Sequence, residues 1–366
     1  GKMKTSSIGG WEFYPPLWRD IQQEFPNFDM WTPTDGPTAP SSAANKTQAD
    51  ADANKDYYFA IGDPRFNMHP GHILWTSIGL YLHNTACDIL MQSEVRWSDE
   101  DLFQRARVMT FHIIQKIRLE DFVSDSVAHT RDNVRVAYDP PTLREKVAPH
   151  FAFSGKAKPN FLEFNHVYQA WHSLIPDHLV LNGSSVPLHH TMWSPQLFQE
   201  HAVAAWAAAF ADTRIAQYSP HNFPFFVRGV TEEALKNLRA QRLPSYNAYR
   251  EYVGLDRLTS FDEFAVDDPQ ALAALYGHEI ENVDFLTGLI ADSSAKLPGN
   301  FMGDVQLIMV SIIALQDVMN NAVIQNPVLW SPEYLTEAGL QWVKDFTFRD
   351  LLERVLLPSG HYPCPF

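Results

Sequence analysis

Cysteine is scarce in this 366-residue chain, with only Cys87 and Cys364. The first lies in an apolar run with helical spacing and the second in the last three residues, so the fold does not read as a disulfide framework. That scarcity favours a cytoplasmic or peripheral-membrane setting over a disulfide-rich secreted one and leaves the compartment otherwise unknown. Positive charge is also short. The formal net charge of −15 excludes a broad phosphate-binding surface, so no nucleic-acid partner is expected. No run approaches the roughly 20 apolar residues of a membrane span. Nucleotide fingerprints, a nucleophile elbow and internal repeats are all missing. His189, His190 and His201 have no carboxylate or cysteine at ligand spacing, which argues against a zinc site.

Apolar and aromatic residues are plentiful. Hydrophobic residues make up 45% of the chain and charged ones 19%, enough for a large buried core. Residues 30–56, rich in Pro, Ser, Thr, Ala, Asn and Asp, read as a flexible loop. Helical periodicity covers 69–92, 99–123, 160–175, 194–218, 231–240, 244–253, 269–276, 301–325 and 331–355. Strand-like alternation is confined to Val134–Tyr138. The expected fold class is mainly α, with residues 1–366 forming the major part of one domain.

The segment Glu163-Phe-Asn-His-Val-Tyr168-Gln-Ala-Trp171-His172-Ser-Leu-Ile-Pro176-Asp177 holds the residues with the most distinctive chemistry. Tyr168 and His172 are four apart, and on an α-helix they share a face. Spacing alone is a weak signal, because a Tyr and a His often satisfy each other inside a core. The surrounding pattern adds more. Glu163-Phe164-Asn165, Tyr168, Trp171-His172, Leu174 and Pro176-Asp177 resemble the proximal helix of the cyclooxygenase branch of the animal-type haem peroxidases. Further matches follow in family order: Gly1-Lys-Met-Lys4, Tyr14-Pro-Pro16, Pro70-Gly71, His83-Asn84, Glu120-Asp121, Asp139-Pro140, Ser245-Tyr-Asn247, Tyr249-Arg250, Ser260-Phe-Asp-Glu263, Leu275-Tyr-Gly277 and Cys364-Pro-Phe366.

The resemblance implies a haem-peroxidase/cyclooxygenase-like helical catalytic domain. It implies haem b, with His172 as proximal iron ligand and Trp171 beside it. Tyr168 would carry the radical that opens oxygenation of a fatty acid by O2. Gly62-Asp-Pro-Arg65 resembles the broader peroxidases, in which the Arg serves the distal side and polarises peroxide. Met68 stands where those enzymes esterify haem through a Glu, so no ester link is expected. Asn237 and Arg239 fall where relatives place groups near the proximal His or a haem propionate. His129 and Arg131 fall near a substrate-carboxylate contact. The distal-His segment, the calcium loop and the membrane-binding helices of the family lie upstream of the part that Gly1–Lys4 resembles. Calcium and peripheral membrane contact are expected only through that upstream part, and the chain can be an oligomer.

Departures from the family pattern sharpen these expectations. The family has one residue fewer between Tyr and His, and a π-bulge in the 163–173 helix would absorb the excess. Phe122 stands where relatives have a tyrosine bonded to the radical Tyr. No counterpart of the aspirin-acetylated serine is found among Ser311, Ala314 and Leu315, which favours a simple hydroperoxide product over prostaglandin formation. The apolar run Phe301–Ile324 reads as buried core or channel wall. Two other functions remain open. One is a haem peroxidase oxidising small substrates, and the other is a non-catalytic lipid-binding remnant.

Overall fold

Pro70 opens the longest helix among the described residues, Pro70–Met91, with His69 as its N-cap accepting a bond from Gly71 N–H at 3.0 Å. A proline at the first helical position loses only an amide that the helix leaves unpaired. The computed structural model describes residues 1–8, 11–25, 55–123, 137–147, 162–216, 218–292 and 302–353. Helices dominate these residues, and the strands form two antiparallel hairpins, Ser6–Ile8 with Trp11–Tyr14 and His178–Leu181 with Ser184–Pro187. The second hairpin turns on Asn182 and Gly183, both at positive φ (50° and 78°). That is the two-residue turn an Asn-Gly pair favours. Most of the expected loop 30–56 and most of the expected strand 134–138 fall outside the described residues.

The chain divides into two compact units. The first comprises residues 1–114, 176–214 and 328–366. Its long helix packs against strand Trp11–Tyr14 and against helices Val203–Asp212 and Glu337–Asp345. Its core includes Tyr14, Phe59, Phe198 and Trp206, all at most 1% exposed. Tyr14 stacks on Phe59 at 5.7 Å, and Phe198 stacks on Trp206 at 5.3 Å. Two asparagine side chains clamp extended backbone here. Asn84 holds both polar groups of Met3 (2.8 and 3.1 Å), and Asn67 does the same for Phe59 (2.9 and 3.0 Å). His83 bonds Gly1 carbonyl at 3.1 Å, so the His83-Asn84 pair works by tying down the first residues.

The second unit comprises residues 115–175 and 215–327. Helix Glu163–Gln169 packs against Arg228–Ala240, Phe285–Ala291 and Asp304–Met319. Several motif residues turn out to be scaffolding. Ser245 caps helix Tyr246–Tyr252, and Asn247 clamps Leu258 with bonds of 2.9 and 2.8 Å. Asp292, 2% exposed, receives bonds from Tyr246 and Arg250. A Cβ on Gly288 would lie 2.0 Å from the Tyr246 ring, so only glycine admits this approach of helix to ring. Ser260 and Glu263 form a reciprocal capping box.

Candidate functional site

The Tyr168–His172 segment begins on an anchored end. Glu163 opens its helix and accepts a 2.6 Å bond from the Tyr249 hydroxyl. The α-helix runs only to Gln169, after which Ala170–Leu174 winds as a 3-10 helix. The expected π-bulge is therefore corrected: the segment tightens where a bulge would have loosened it. A π-helical turn does occur at Arg118–Val123, at the end of the preceding long helix Asp99–Ile117.

Tightening has a hydrogen-bond cost that a neighbour meets. Ala170 N–H still reaches back four residues to His166 carbonyl. Switching to three-residue bonds then passes over one carbonyl, that of Val167. Gln306, fully buried, donates to it at 2.8 Å and accepts from the Tyr218 hydroxyl with its other end. The helix Asp304–Met319 is thus pinned to the segment by Gln306, a polar residue inside its apolar run.

Winding also decides which side chains meet. A 3-10 helix advances about 120° per residue, so positions three apart eclipse while positions four apart diverge. Tyr168 accordingly meets Trp171, with ring centroids 5.0 Å apart and nearly perpendicular. Gln169 meets His172, its amide nitrogen 2.8 Å from Nδ1. The shared α-helical face expected for Tyr168 and His172 does not form.

Tyr168 is half-buried and also packs on Phe164 at 4.9 Å. Burial pushes its phenol above the ordinary value, the positive charge of Arg118 pulls it part of the way back, and the Asp317 carboxylate opposes that pull. Arg118 thereby places a positive charge near the phenol, which Phe122 cannot do. Phe122 is 44% exposed, and its ring lies 6.2 Å from Trp171. Sequence reasoning missed Arg118, although it stands one helical turn before Phe122 and so faces the same way.

His172 is half-buried and held neutral, burial pulling its pKa down. With Nδ1 at Gln169, its Nε2 has no hydrogen-bond partner among the described residues. A neutral imidazole anchored through Nδ1 and open at Nε2 fits a haem iron in the tautomer that leaves Nε2 unprotonated.

Arg239 lies in the same unit, with its guanidinium bidentate on Asp284 (3.2 and 2.6 Å), which also accepts from Tyr276 at 2.9 Å. The structure thus gives Arg239 a carboxylate of this chain. Arg65 is in the first unit, exposed and forked onto Asp63 at 3.0 and 2.5 Å. Asp63 in turn caps the short 3-10 helix Pro64–Met68. His129 and Arg131 lie outside the described residues. Among the described residues there is no group of three His, Cys, Asp or Glu able to hold a metal ion, and no helix long and apolar enough to cross a membrane.

Comparison with known proteins follows the same lines. Prostaglandin G/H synthase 1 of Rattus norvegicus is 29% identical over 276 residues, covering 75% of this chain and 44% of the relative. The chain spans about half the length of the curated relatives it matches. Among solved structures, fatty acid alpha-dioxygenase of Oryza sativa superposes with a TM-score of 0.63 at 19% identity, covering 79% of this chain and 55% of that one. Peroxidase A of Dictyostelium discoideum gives 0.68 at 18% identity, covering 99% and 65%. These likenesses show the helical haem-peroxidase fold. Residues 25–357 match the animal haem peroxidase profile, and the chain belongs to that family of haem-binding oxidoreductases.

Proposed function

We propose that the protein is a haem-dependent fatty-acid dioxygenase that works through a radical on Tyr168. The observation that carries this reading is the pairing, on one continuous helical segment, of an anchored neutral His172 with a protonated Tyr168 that feels the positive charge of Arg118. Haem b ligated by His172 supplies the one-electron oxidation. The rest falls to the chain.

Tyr168 gives up an electron and its phenolic proton together, because burial makes a free tyrosinate unfavourable. Its phenoxyl oxygen then takes a hydrogen atom from an allylic or α C–H bond of the fatty acid. O2 adds to the resulting carbon radical. The peroxyl group recovers a hydrogen atom from Tyr168, giving a hydroperoxide and restoring the radical. Arg118 acts electrostatically, its charge favouring negative charge on the phenol oxygen.

The fatty acid needs an apolar wall. On the helix Asp304–Met319, Leu307, Ile308, Ile312 and Leu315 form one stripe that is only half-buried, whereas Val305, Met309, Val310 and Ile313 are in the core. A partly open apolar stripe on the helix that packs against the Tyr168 helix suits an alkyl chain.

A second reading has its own observation. Trp171, rather than His172, sits against Tyr168, which is the packing expected if Tyr168 were only a core aromatic in a peroxidase of small substrates. Electron paramagnetic resonance separates the two. Peroxide added to the haem-loaded protein should give a tyrosyl signal that Tyr168→Phe removes while the haem absorption persists. An unchanged signal in that variant would favour the peroxidase.

A further inference from the structure

Three polar groups form a chain that ends on the imidazole. The Gln169 amide lies 2.8 Å from His172 Nδ1 and 3.2 Å from Thr231 Oγ1, and Thr231 Oγ1 lies 3.0 Å from Val227 carbonyl. An amide presents a donor at one end and an acceptor at the other in nearly the same shape. The chain can therefore run in two senses. In one, Gln169 N–H groups donate to both Nδ1 and Thr231, Thr231 donates to Val227, and His172 keeps its proton on Nε2. In the other, the amide is turned by half a rotation. Its oxygen then accepts from Nδ1–H and from the Thr231 hydroxyl, and Nε2 is left with a bare lone pair.

Only the second sense suits a metal. A ligating imidazole nitrogen must be unprotonated, and the other nitrogen's N–H is normally held by an acceptor that fixes both tautomer and ring orientation. The local winding makes the contact available, because residues three apart eclipse in the 3-10 turn that starts at Ala170. The extra residue between Tyr168 and His172 has a consequence here. It puts Gln169 at the position three before the histidine, which the family pattern gives to the tyrosine. Thr231 is fixed on its own helix, Arg228–Ala240, so the far end of the chain is anchored independently of the His172 segment.

We propose that Gln169, backed by Thr231, is the positioning residue that selects the iron-competent tautomer of His172. A turn of one side-chain amide then decides whether His172 can hold haem. This rests on His172 being the haem ligand.

The test reads the tautomer directly. The ring-nitrogen shifts of 15N-histidine-labelled apoprotein report it at mildly alkaline pH, with His172 assigned by its loss in His172→Gln. Gln169→Glu offers only acceptors and should drive His172 to the Nδ1–H form. Gln169→Leu removes the partner and should shift the ring towards Nε2–H. Haem titration should follow the same order, with affinity falling about 10–100-fold in Gln169→Leu, partly in Thr231→Val, and held in Gln169→Glu. Identical His172 ring shifts in wild type, Gln169→Glu and Gln169→Leu overturn the proposal even if haem binds normally. Haem retained equally by His172→Ala overturns the ligand assignment instead, and the ring shifts still judge Gln169.

Discussion

Arg118 shows how much a single residue changes the chemistry available to Tyr168. A neutral neighbour would leave the phenol to burial and the Asp317 charge, both of which raise its pKa, whereas the charge of the guanidinium favours its ionised form. Arg118→Met should therefore shift Tyr168 ionisation to higher pH, read by ultraviolet difference titration against Tyr168→Phe. An unmoved titration would remove Arg118 from the site. The basic residue was in plain view in the sequence. The family pattern places its partner for this Tyr at Phe122, whereas here the charge comes from one turn earlier on a longer side chain. Arg65 and Arg239 teach the reverse. Each is a plausible distal or propionate contact by position, yet each guanidinium is engaged by a carboxylate, Asp63 or Asp284.

Among the elements, helices with strong start signals were the legible ones. Residues 69–92 form helix Pro70–Met91, and 99–123 form Asp99–Ile117 with its π turn. The expected helix 331–355 instead breaks at Thr336, which takes φ 63° and caps the next helix, and again at Thr347, which caps Phe348–Leu351. Threonine caps of this kind compete with helix continuation through side-chain bonds, so apolar periodicity alone runs over them. The hairpin at Asn182-Gly183 carried its signal openly and was passed over because few residues flank it. The 3-10 winding at Ala170–Leu174 was not legible locally. It depends on Gln306, more than a hundred residues on, meeting the skipped carbonyl of Val167. Gln306→Leu removes the donor to that carbonyl and the acceptor that Gln306 offers the Tyr218 hydroxyl. We expect a loss of about 1–3 kcal/mol per buried group in chemical denaturation. A neutral effect would mean that the turn holds itself.

For the whole molecule, histidines tie stability to pH. Burial lowers the pKa of His83, His166 and His172, and pulls His69 down to about 3. Each folded form stays neutral where the unfolded chain, titrating near 6.5, would bind a proton. The unfolded state thus binds more protons below that value, and stability falls with acid. His69 adds a structural reason, since protonating Nδ1 also removes the cap on Gly71. Stability followed by circular dichroism should be level above about pH 7 and decline from about pH 6.5 towards 5, before most carboxylates titrate. A flat profile across that window would contradict these buried neutral rings.

The helical class and the family were legible because many weak motifs recur in order along the chain, and most of them prove to be clamps, caps and buried pairs such as Asn84–Met3, Asn247–Leu258 and Arg250–Asp292. The site itself was legible as residues and less so as geometry, because winding and long-range pairing set which side chains meet. The most direct measurement is fatty-acid-dependent O2 uptake by the haem-loaded protein, with Tyr168→Phe beside it. The account predicts uptake in the wild type that vanishes in the variant while the haem spectrum is unchanged. Uptake that survives Tyr168→Phe, or haem-loaded protein that consumes no O2 with any fatty acid, would contradict it.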